Sequence, residues 1–451
     1  MKNISFLQLA VFFVFITAII IAFLIFAGAL PGLRDTRFKD LNSPIEFWGT
    51  LPRQVILPLI EEFNDKEEKN VAITYTQFSE EEYLPKVVGA LAAGTGPDIW
   101  ILPQQNFIEN LPKALQLGPK SYPERDFRET FFDGADILLW PPGRVAAIPF
   151  VSDQLVLFWN RELFRSAGVA DAPKNWAGFL AASETLTQKN SSGTITQAGA
   201  ALGLFENITH AKDILSLFFL QVKNPITFLA THGSQDNLQV DLKSAINDSS
   251  FDTLPAVAES IRFFNQFADP RKQSYSWTRN MPEAQDAFAQ GRLAMYIGYG
   301  SEIEKIRNKN PHLDFDIAEI PQISTGSAHV TYGKLQTLVL SRQAESLRQS
   351  AGLLFINFLA RPENQSSIAE RFMLAPTSRA ALLAGNDNPL LATIYRSAVK
   401  NTFWLDPDPE GTYTIIRDMA EQAKLEIKSI EDIINEAHLK MQRLLEAIVL
   451  P

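Results

Sequence analysis

Cysteine is absent from the 451 residues. Its absence excludes a disulfide framework, a thiol nucleophile, a thiolate zinc site and a lipid-modified N-terminal cysteine. Histidine is scarce. The five (His210, His232, His312, His329 and His438) are scattered without metal-ligand spacing, so no metal is expected. Positive charge is in deficit: 41 Lys and Arg against 51 Asp and Glu give a net charge of −10. A nucleic-acid partner, which needs clustered Lys and Arg, is therefore not expected. The short catalytic motifs are missing too: there is no G-x-x-x-x-G-K-[ST], G-x-S-x-G, H-E-x-x-H or G-x-G-x-x-G. Gly298-Tyr299-Gly300-Ser301 lacks the third glycine of a dinucleotide loop, and no cofactor is expected. Acidic pairs such as Glu61-Glu62 and the run Glu80-Glu81-Glu82 read as solvated helix surface. Facing glycosidase carboxylates, distant in sequence, stay open as an alternative.

What is present is an apolar majority. Hydrophobic residues make up 46% and charged residues 20%, a globular composition long enough for two or three domains. One run stands apart. Leu9 to Leu30 holds 22 residues with Thr17 the clearly polar exception. About 20 apolar residues span a bilayer as a helix, whereas a signal-peptide apolar region is usually about 7–15. Residues 1–31 are read as an uncleaved transmembrane anchor. Cleavage after Ala27-Gly28-Ala29 stays open as the alternative. Residues 32–42 follow as a polar linker. Lys2 on one side and Arg34, Arg37 and Lys39 on the other would by charge alone keep the main domain in the cytoplasm.

From residue 43 strand-like and helix-like stretches alternate. Ile45-Glu46-Phe47-Trp48 predicts a strand, Val55 to Phe63 a helix, Val71 to Gln77 a strand, Tyr83 to Leu91 a helix, and Asp98 to Ile101 a strand. This βαβα order argues for an α/β fold with a largely parallel sheet. Ala147 to Trp159 is apolar but interrupted by Ser152-Asp153-Gln154. Ala284, Ala287 and Phe288 fit a helix stopped by Gly291. A strand over Leu293–Ile297 and a helix over Leu347–Leu359 follow. Between Ile416 and Ile448 apolar residues recur every three or four positions. Ser429-Ile430-Glu431-Asp432 resembles a capping box, which divides the stretch into two helices.

Polar and aromatic residues gather where the strands end: Trp48-Gly49-Thr50, Pro103-Gln104-Gln105, Ser152-Asp153-Gln154 and Tyr299-Gly300-Ser301. In open α/β sheets ligands bind beyond the carboxyl ends of strands. Neutral hydrogen-bonding groups beside aromatic faces suit a ligand with hydroxyls on one side and C–H on the other, such as a sugar.

Four segments then carry a more specific likeness. Gly94-Thr95-Gly96-Pro97-Asp98-Ile99 closes the first βαβα series. Ile148-Pro149-Phe150 leads to Leu157-Phe158-Trp159-Asn160-Arg161-Glu162-Leu163-Phe164, Ala167-Gly168-Val169 and Pro173-Lys174-Asn175-Trp176. Ala287 to Gly298 reads AFAQGRLAMYIG. Phe355-Ile356-Asn357-Phe358-Leu359 precedes Pro362-Glu363-Asn364-Gln365 and Pro376-Thr377-Ser378. In order and spacing, over residues 43–445, these resemble the family 1 extracellular solute-binding proteins, the maltose-binding-protein-like components of ABC transporters. The resemblance implies a two-lobed α/β fold with crossing hinge strands. Residues 43–150 plus 330–375 would form one lobe, and 151–329 plus 376–451 the other, with ligand closed between them.

The resemblance also implies a site. Its expected ligand contacts are Trp48, Thr50, Gln105, Asp153, Gln154, Tyr299, Ser301, Tyr332, Gly333 and Trp404. Tyr299 and Ser301 follow Ala-Met-x-Ile, where the family often has Gly-x-Trp; this chain has Gly298-Tyr299-Gly300, and the usual tryptophan is absent. The expectation is thus a non-enzymatic, monomeric protein on the extracytoplasmic side of the membrane, held by residues 9–30. It would deliver a sugar or oligosaccharide to ABC permease subunits. The rival readings are a membrane-anchored sensory receptor with the same binding fold and an anchored glycoside hydrolase.

Overall fold

A computed structural model describes residues 41–448, apart from 68–70, 142, 235–236 and 325–328, together with residues 16, 17, 38 and 450. The expected anchor over residues 9–30, apart from residues 16 and 17, and most of the linker over 32–42 lie outside the described residues. Among the described residues, no helix is long and apolar enough to cross a membrane.

The core is one mixed sheet of ten strands. Along the chain the strands are β1 (Ile45–Gly49), β2 (Ile73–Gln77), β3 (Ile99–Pro103), β4 (Leu139–Trp140), β5 (Arg144–Val145), β6 (Ile148–Asn160) and β7 (Gln188–Lys189). They continue as β8 (Ile195–Ala200), β9 (Thr227–Ser234), β10 (Asn237–Ser244), β11 (Leu293–Tyr299), β12 (Phe315–Ala318), β13 (Gly333–Leu340) and β14 (Ala375–Pro376). The main sheet runs β2-β1-β3-β13-β6-β11-β8-β7, with β12 and β14 also on β6, while β4–β5 and β9–β10 are separate ribbons. Pairs β1–β2, β1–β3 and β8–β11 are parallel, as the βαβ units require. Every neighbour of β6 is antiparallel to it, so the sheet is mixed rather than largely parallel.

β6 organises the rest. The Ser152-Asp153-Gln154 triplet does not interrupt it; the strand runs unbroken through thirteen residues. Its first half pairs with β13 through Ile148–Gln154 and with β14 through Val151 and Ser152. Its second half pairs with β11 through Leu155–Trp159 and with β12 through Leu157–Asn160. The change of partner falls at Gln154–Leu155. Ser152 and Gln154 are fully buried there; the Ser152 hydroxyl and the Gln154 amide nitrogen find partners, while Gln154 Oε1 has none among the described residues. The Gln154 amide donates to Ser152 Oγ at 2.8 Å, and the Asn401 amide donates to the same oxygen at 3.1 Å. Polar residues inside an apolar strand thus mark the point where it passes from one half of the sheet to the other.

Each half has its own cap. In the first, the helix Ser346–Leu359 lays Phe355 against Phe47 and Phe63, with ring centroids 5.9 and 5.1 Å apart. Buried Asp98 receives the Glu46 N–H at 2.8 Å and Arg348 Nε at 2.7 Å, fixing that helix to the strand starts. In the second, Trp176 meets Phe218 and Phe179 edge-on at 4.8 and 5.4 Å and gives its indole N–H to Gln221. The C-terminal stretch is two helices, Pro409–Leu425 and Ile430–Glu446. Ser429 caps the second through the Asp432 N–H, and Glu426 turns left-handed between them (φ 54°).

Gly333 opens β13 where it meets β6. A Cβ there would stand 2.5 Å from the Asp153 carbonyl oxygen and 2.8 Å from the Asn401 amide nitrogen. One obstacle is backbone in a paired strand, which cannot step aside. Gly89 is the counter-case: it lies exposed in the helix Glu80–Ala92, and a Cβ there meets nothing within 4 Å. Gly333→Ala is therefore expected to destabilise by about 1–3 kcal/mol. Gly89→Ala is expected to stabilise by about 0.5–1 kcal/mol. Thermal unfolding of both variants beside the parent checks the opposite signs; a harmless Gly333→Ala would contradict the close approach.

Candidate functional site

Beyond the carboxyl ends of β1 and β3 lies a cleft of about 730 Å³. One wall comes from the first half of the sheet: Thr50 after β1, Gln105 and Asn106 in the turn after β3, Glu80 and Glu81 at the start of their helix, and Lys334 and Gln336 on β13. The facing wall carries Tyr299, Ser301, Glu302 and His210. Asp153 forms the floor at the middle of β6. Lys334 and Gln336 share the cleft face because side chains alternate along a strand.

Tyr83 holds the strand ends in position. Its hydroxyl accepts the Ile101 N–H at 2.8 Å and lies within hydrogen-bond distance of the Ile101 and Trp48 carbonyls (2.8 and 3.0 Å). Burial pushes this phenol well above its ordinary value, so it stays a neutral donor.

The floor is a charged network. Asp153 Oδ1 accepts the Ser301 N–H at 3.1 Å and Oδ2 accepts the Ser301 hydroxyl at 2.5 Å. The carboxylate keeps partial access to cleft water but is crowded by protein. Desolvation is the largest influence on it. The two Ser301 hydrogen bonds and the Lys334 charge oppose that influence without cancelling it, and the carboxyl is pushed up to about 6. Behind it, Glu302 receives His210 Nε2 at 2.8 Å, the Tyr296 hydroxyl at 2.8 Å and the Tyr299 N–H at 3.2 Å. Burial would raise Glu302, but these hydrogen bonds and the His210 charge outweigh it and hold the group below the usual glutamate value. Tyr299 gives its hydroxyl to Asp213 at 2.8 Å, and the Lys334 ammonium sits 4.3 Å above the Tyr299 ring. Among the described residues nothing forms a hydrogen bond or ion pair with that ammonium, so it is free to donate into the cleft. No group of three or more His, Asp or Glu among the described residues is arranged to hold a metal ion.

Of the ten residues expected at the site, Thr50, Gln105, Asp153, Tyr299 and Ser301 come together on this cleft. The other five lie behind its surface. Trp48 packs on Phe78 at 5.0 Å. Gln154 is fully buried in β6, and Tyr332 is buried with its carbonyl accepting the Leu155 N–H at 2.9 Å. Gly333 is the close approach described above. Trp404 is buried with the Lys212 ammonium 5.4 Å from its ring, and its carbonyl accepts from the Gln104 amide. The cleft also holds residues that the sequence reading passed over: Lys334, Gln336, Glu302 and His210. The polar period-two pattern Lys334-Leu335-Gln336 was the available signal for the first two. For the last two there was none, because their partners are distant in sequence.

The Asp153 shift has a testable sign. In the fold the carboxyl holds its proton up to about pH 6, against an ordinary value of 3.8. Its contribution to stability is fully present below about pH 4 and is lost as pH rises through about 6. Asp153→Asn removes that dependence. The stability of the Asn variant relative to the parent should therefore rise between pH 4 and pH 7, by at most about 3 kcal/mol and less where cleft water screens the charge. Denaturant titrations of both proteins at several pH values measure this; an offset that stays constant with pH would contradict it.

Comparison with known proteins now places the chain. The profile of the bacterial extracellular solute-binding protein family matches residues 58–393. Binding proteins of Brucella abortus and Brucella suis are 21% identical over 304 residues, which is 66% of this chain and 66% of theirs, just under two thirds of the relatives' length. Among solved structures, the cyclic α-maltosyl-1,6-maltose binding protein of Arthrobacter globiformis superposes with a TM-score of 0.70. It is 15% identical, over 90% of this chain and 100% of that one. The sugar-binding protein MalE from Xanthomonas citri gives a TM-score of 0.68 at 16% identity, over 90% and 98%. At these identities the superpositions speak for the fold alone. With the family profile spanning most of the described fold, the chain belongs to the bacterial extracellular solute-binding protein family.

Proposed function

We propose that the chain captures a sugar or small oligosaccharide outside the cytoplasm and delivers it to an ABC importer. The observation that carries this reading is the cleft itself. Two walls from the two halves of one sheet face each other, lined by amides, hydroxyls and one free ammonium. Its size suits a small ligand; such sites typically span about 300–1,000 Å³. Thr50, Gln105, Asn106 and Gln336 offer neutral donors and acceptors to hydroxyl groups. The Lys334 ammonium and the Asp153 carboxylate add charge-assisted hydrogen bonds, the stronger kind. Several solved structures of the same fold are named for maltodextrin or mannotriose ligands, which supports the carbohydrate class.

The mechanism is binding without covalent chemistry. Lobes with boundaries near residues 150, 330 and 375 would rotate about the β6–β13 crossing, close over the ligand and exclude water. Closure strengthens each polar contact by lowering the local dielectric. An N-terminal helix over residues 9–30 would keep the protein beside its permease.

Calorimetric titration with maltotriose, mannotriose, amino acids and inorganic phosphate tests the reading. A saccharide is expected to bind, and Lys334→Met or Asp153→Asn to weaken it about 10–100-fold, the value of a hydrogen bond to a charged group. Trp404→Phe should leave affinity nearly unchanged, because that ring lies behind the cleft surface. Binding of phosphate or an amino acid with no response to any saccharide would overturn the carbohydrate assignment.

A further inference from the structure

A second cavity, about 1210 Å³, lies away from the cleft. β13 links the two: Lys334 near its start lines the cleft, and Arg342 just past its end lines the groove. Eight residues of extended strand separate them by roughly 26 Å.

The groove's walls belong to different halves of the molecule. Arg144 and Arg342 stand on the first wall. That wall is tied to the first half of the sheet, with the Leu115 N–H bonded to the Leu340 carbonyl at 2.8 Å and Leu117 paired with Val145 just ahead of β6. Asp241 on β10 and Glu446 at the end of the last helix stand on the second wall. That helix packs on β10 and on the helix Leu254–Asn265, which packs in turn on the helix Ala211–Gln221. The residue before the latter, His210, binds Glu302 beyond β11, so the second wall is tied to the second half. Among the described residues no hydrogen bond or ion pair crosses the groove. Arg144, Arg342 and Glu446 make no ion pair with any described residue, and Asp241 pairs with His232 on its own ribbon at 2.8 Å. Lys243, also on the second wall, lies in the field of Asp248. Unpaired guanidinium groups therefore face unpaired or weakly held carboxylates across a gap that must change width whenever the halves rotate.

We propose that Arg144 and Arg342 on one wall, with Glu446 and Asp241 on the other, form an electrostatic latch between the two halves. The latch is unmade in this structure and made in the alternative hinge state, so it sets the balance of hinge states from a place the solute never touches. The inference rests on the hinge motion proposed above but not on the identity of the solute. Exposed ion pairs are individually weak, so the latch biases the equilibrium rather than locking it.

The cysteine-free chain allows a direct test, since two introduced cysteines are the sole labelling sites. Spin labels at Lys86→Cys and Lys305→Cys, both exposed and on opposite halves, report the distance between the halves by pulsed electron resonance in the full chain. Arg342→Glu or Glu446→Arg should shift the population two- to fivefold toward the spacing of the present structure. The double exchange should restore the parental distribution, and 1 M salt should mimic the single reversals. An unchanged distribution in the single reversals, or a double exchange that does not restore it, overturns the latch. Maltotriose added to the same samples separates the two claims. A latch response without a maltotriose response removes support from the carbohydrate reading alone, and a maltotriose response without a latch response sinks the latch alone.

Discussion

Everything in this molecule depends on β6 being shared. Of thirteen residues in one extended run, six pair with β13 in one half of the sheet and Leu155 to Asn160 pair with β11 and β12 in the other, with Phe150 stepped over at a register shift. A strand cannot change its neighbours without a change in what its middle residues can do. Here the middle carries Ser152, Asp153 and Gln154. Two of them are buried and bonded to each other, and the one between points to the opposite face, as alternation demands. Asp153 therefore reaches the cleft because Ser152 and Gln154 do not. The burial of two polar side chains and the exposure of a carboxylate are one geometric fact.

That fact sets the electrostatics of the cleft. Asp153 spends both oxygens on Ser301, which stands across the change of partner, so the floor of the site joins the two halves by hydrogen bonds as well as by strand. Tyr299 is held from behind by Asp213 and carries Lys334 on its face. Glu302 is saturated by His210, Tyr296 and the Tyr299 N–H. The groups left with unused capacity are the Lys334 ammonium, the second lone pairs of the Asp153 oxygens and the neutral amides and hydroxyls around them. A ligand rich in hydroxyl groups meets that inventory more fully than an apolar one, which would leave the ammonium buried and unpaired.

Much of the fold was legible in the sequence because it is written in short-range periodicity. The first βαβα series, the helix stop at Gly291, the helix before Pro362 and the capped break at Ser429 all rest on local chemistry, and the structure shows each. The run through Ser152-Asp153-Gln154 reads as an interruption, since polarity inside an apolar strand signals a break unless distant partners meet it, here Asn401 for Ser152 and Ser301 for Asp153. The sheet's antiparallel centre was equally hidden: strand direction is set by crossovers of well over a hundred residues. At the site, residues directly after strands were recoverable, and Thr50, Gln105 and Ser301 line the cleft. Trp48 and Trp404 were drawn in by their aromatic character, but their rings serve packing. For Lys334 the sequence offers only the weak period-two pattern Lys334-Leu335-Gln336; its meaning comes from Tyr299 beneath it.

The central claim is that one cleft, with walls from both halves, takes the solute. Amide hydrogen exchange of the full chain with and without a saturating saccharide tests it most directly. The account predicts slowed exchange at Gln104–Asn106 and at Tyr299–Glu302 together, since these segments face each other across the bound ligand. Protection confined to one of the two walls, or appearing only at the distant groove around Arg342, would contradict it.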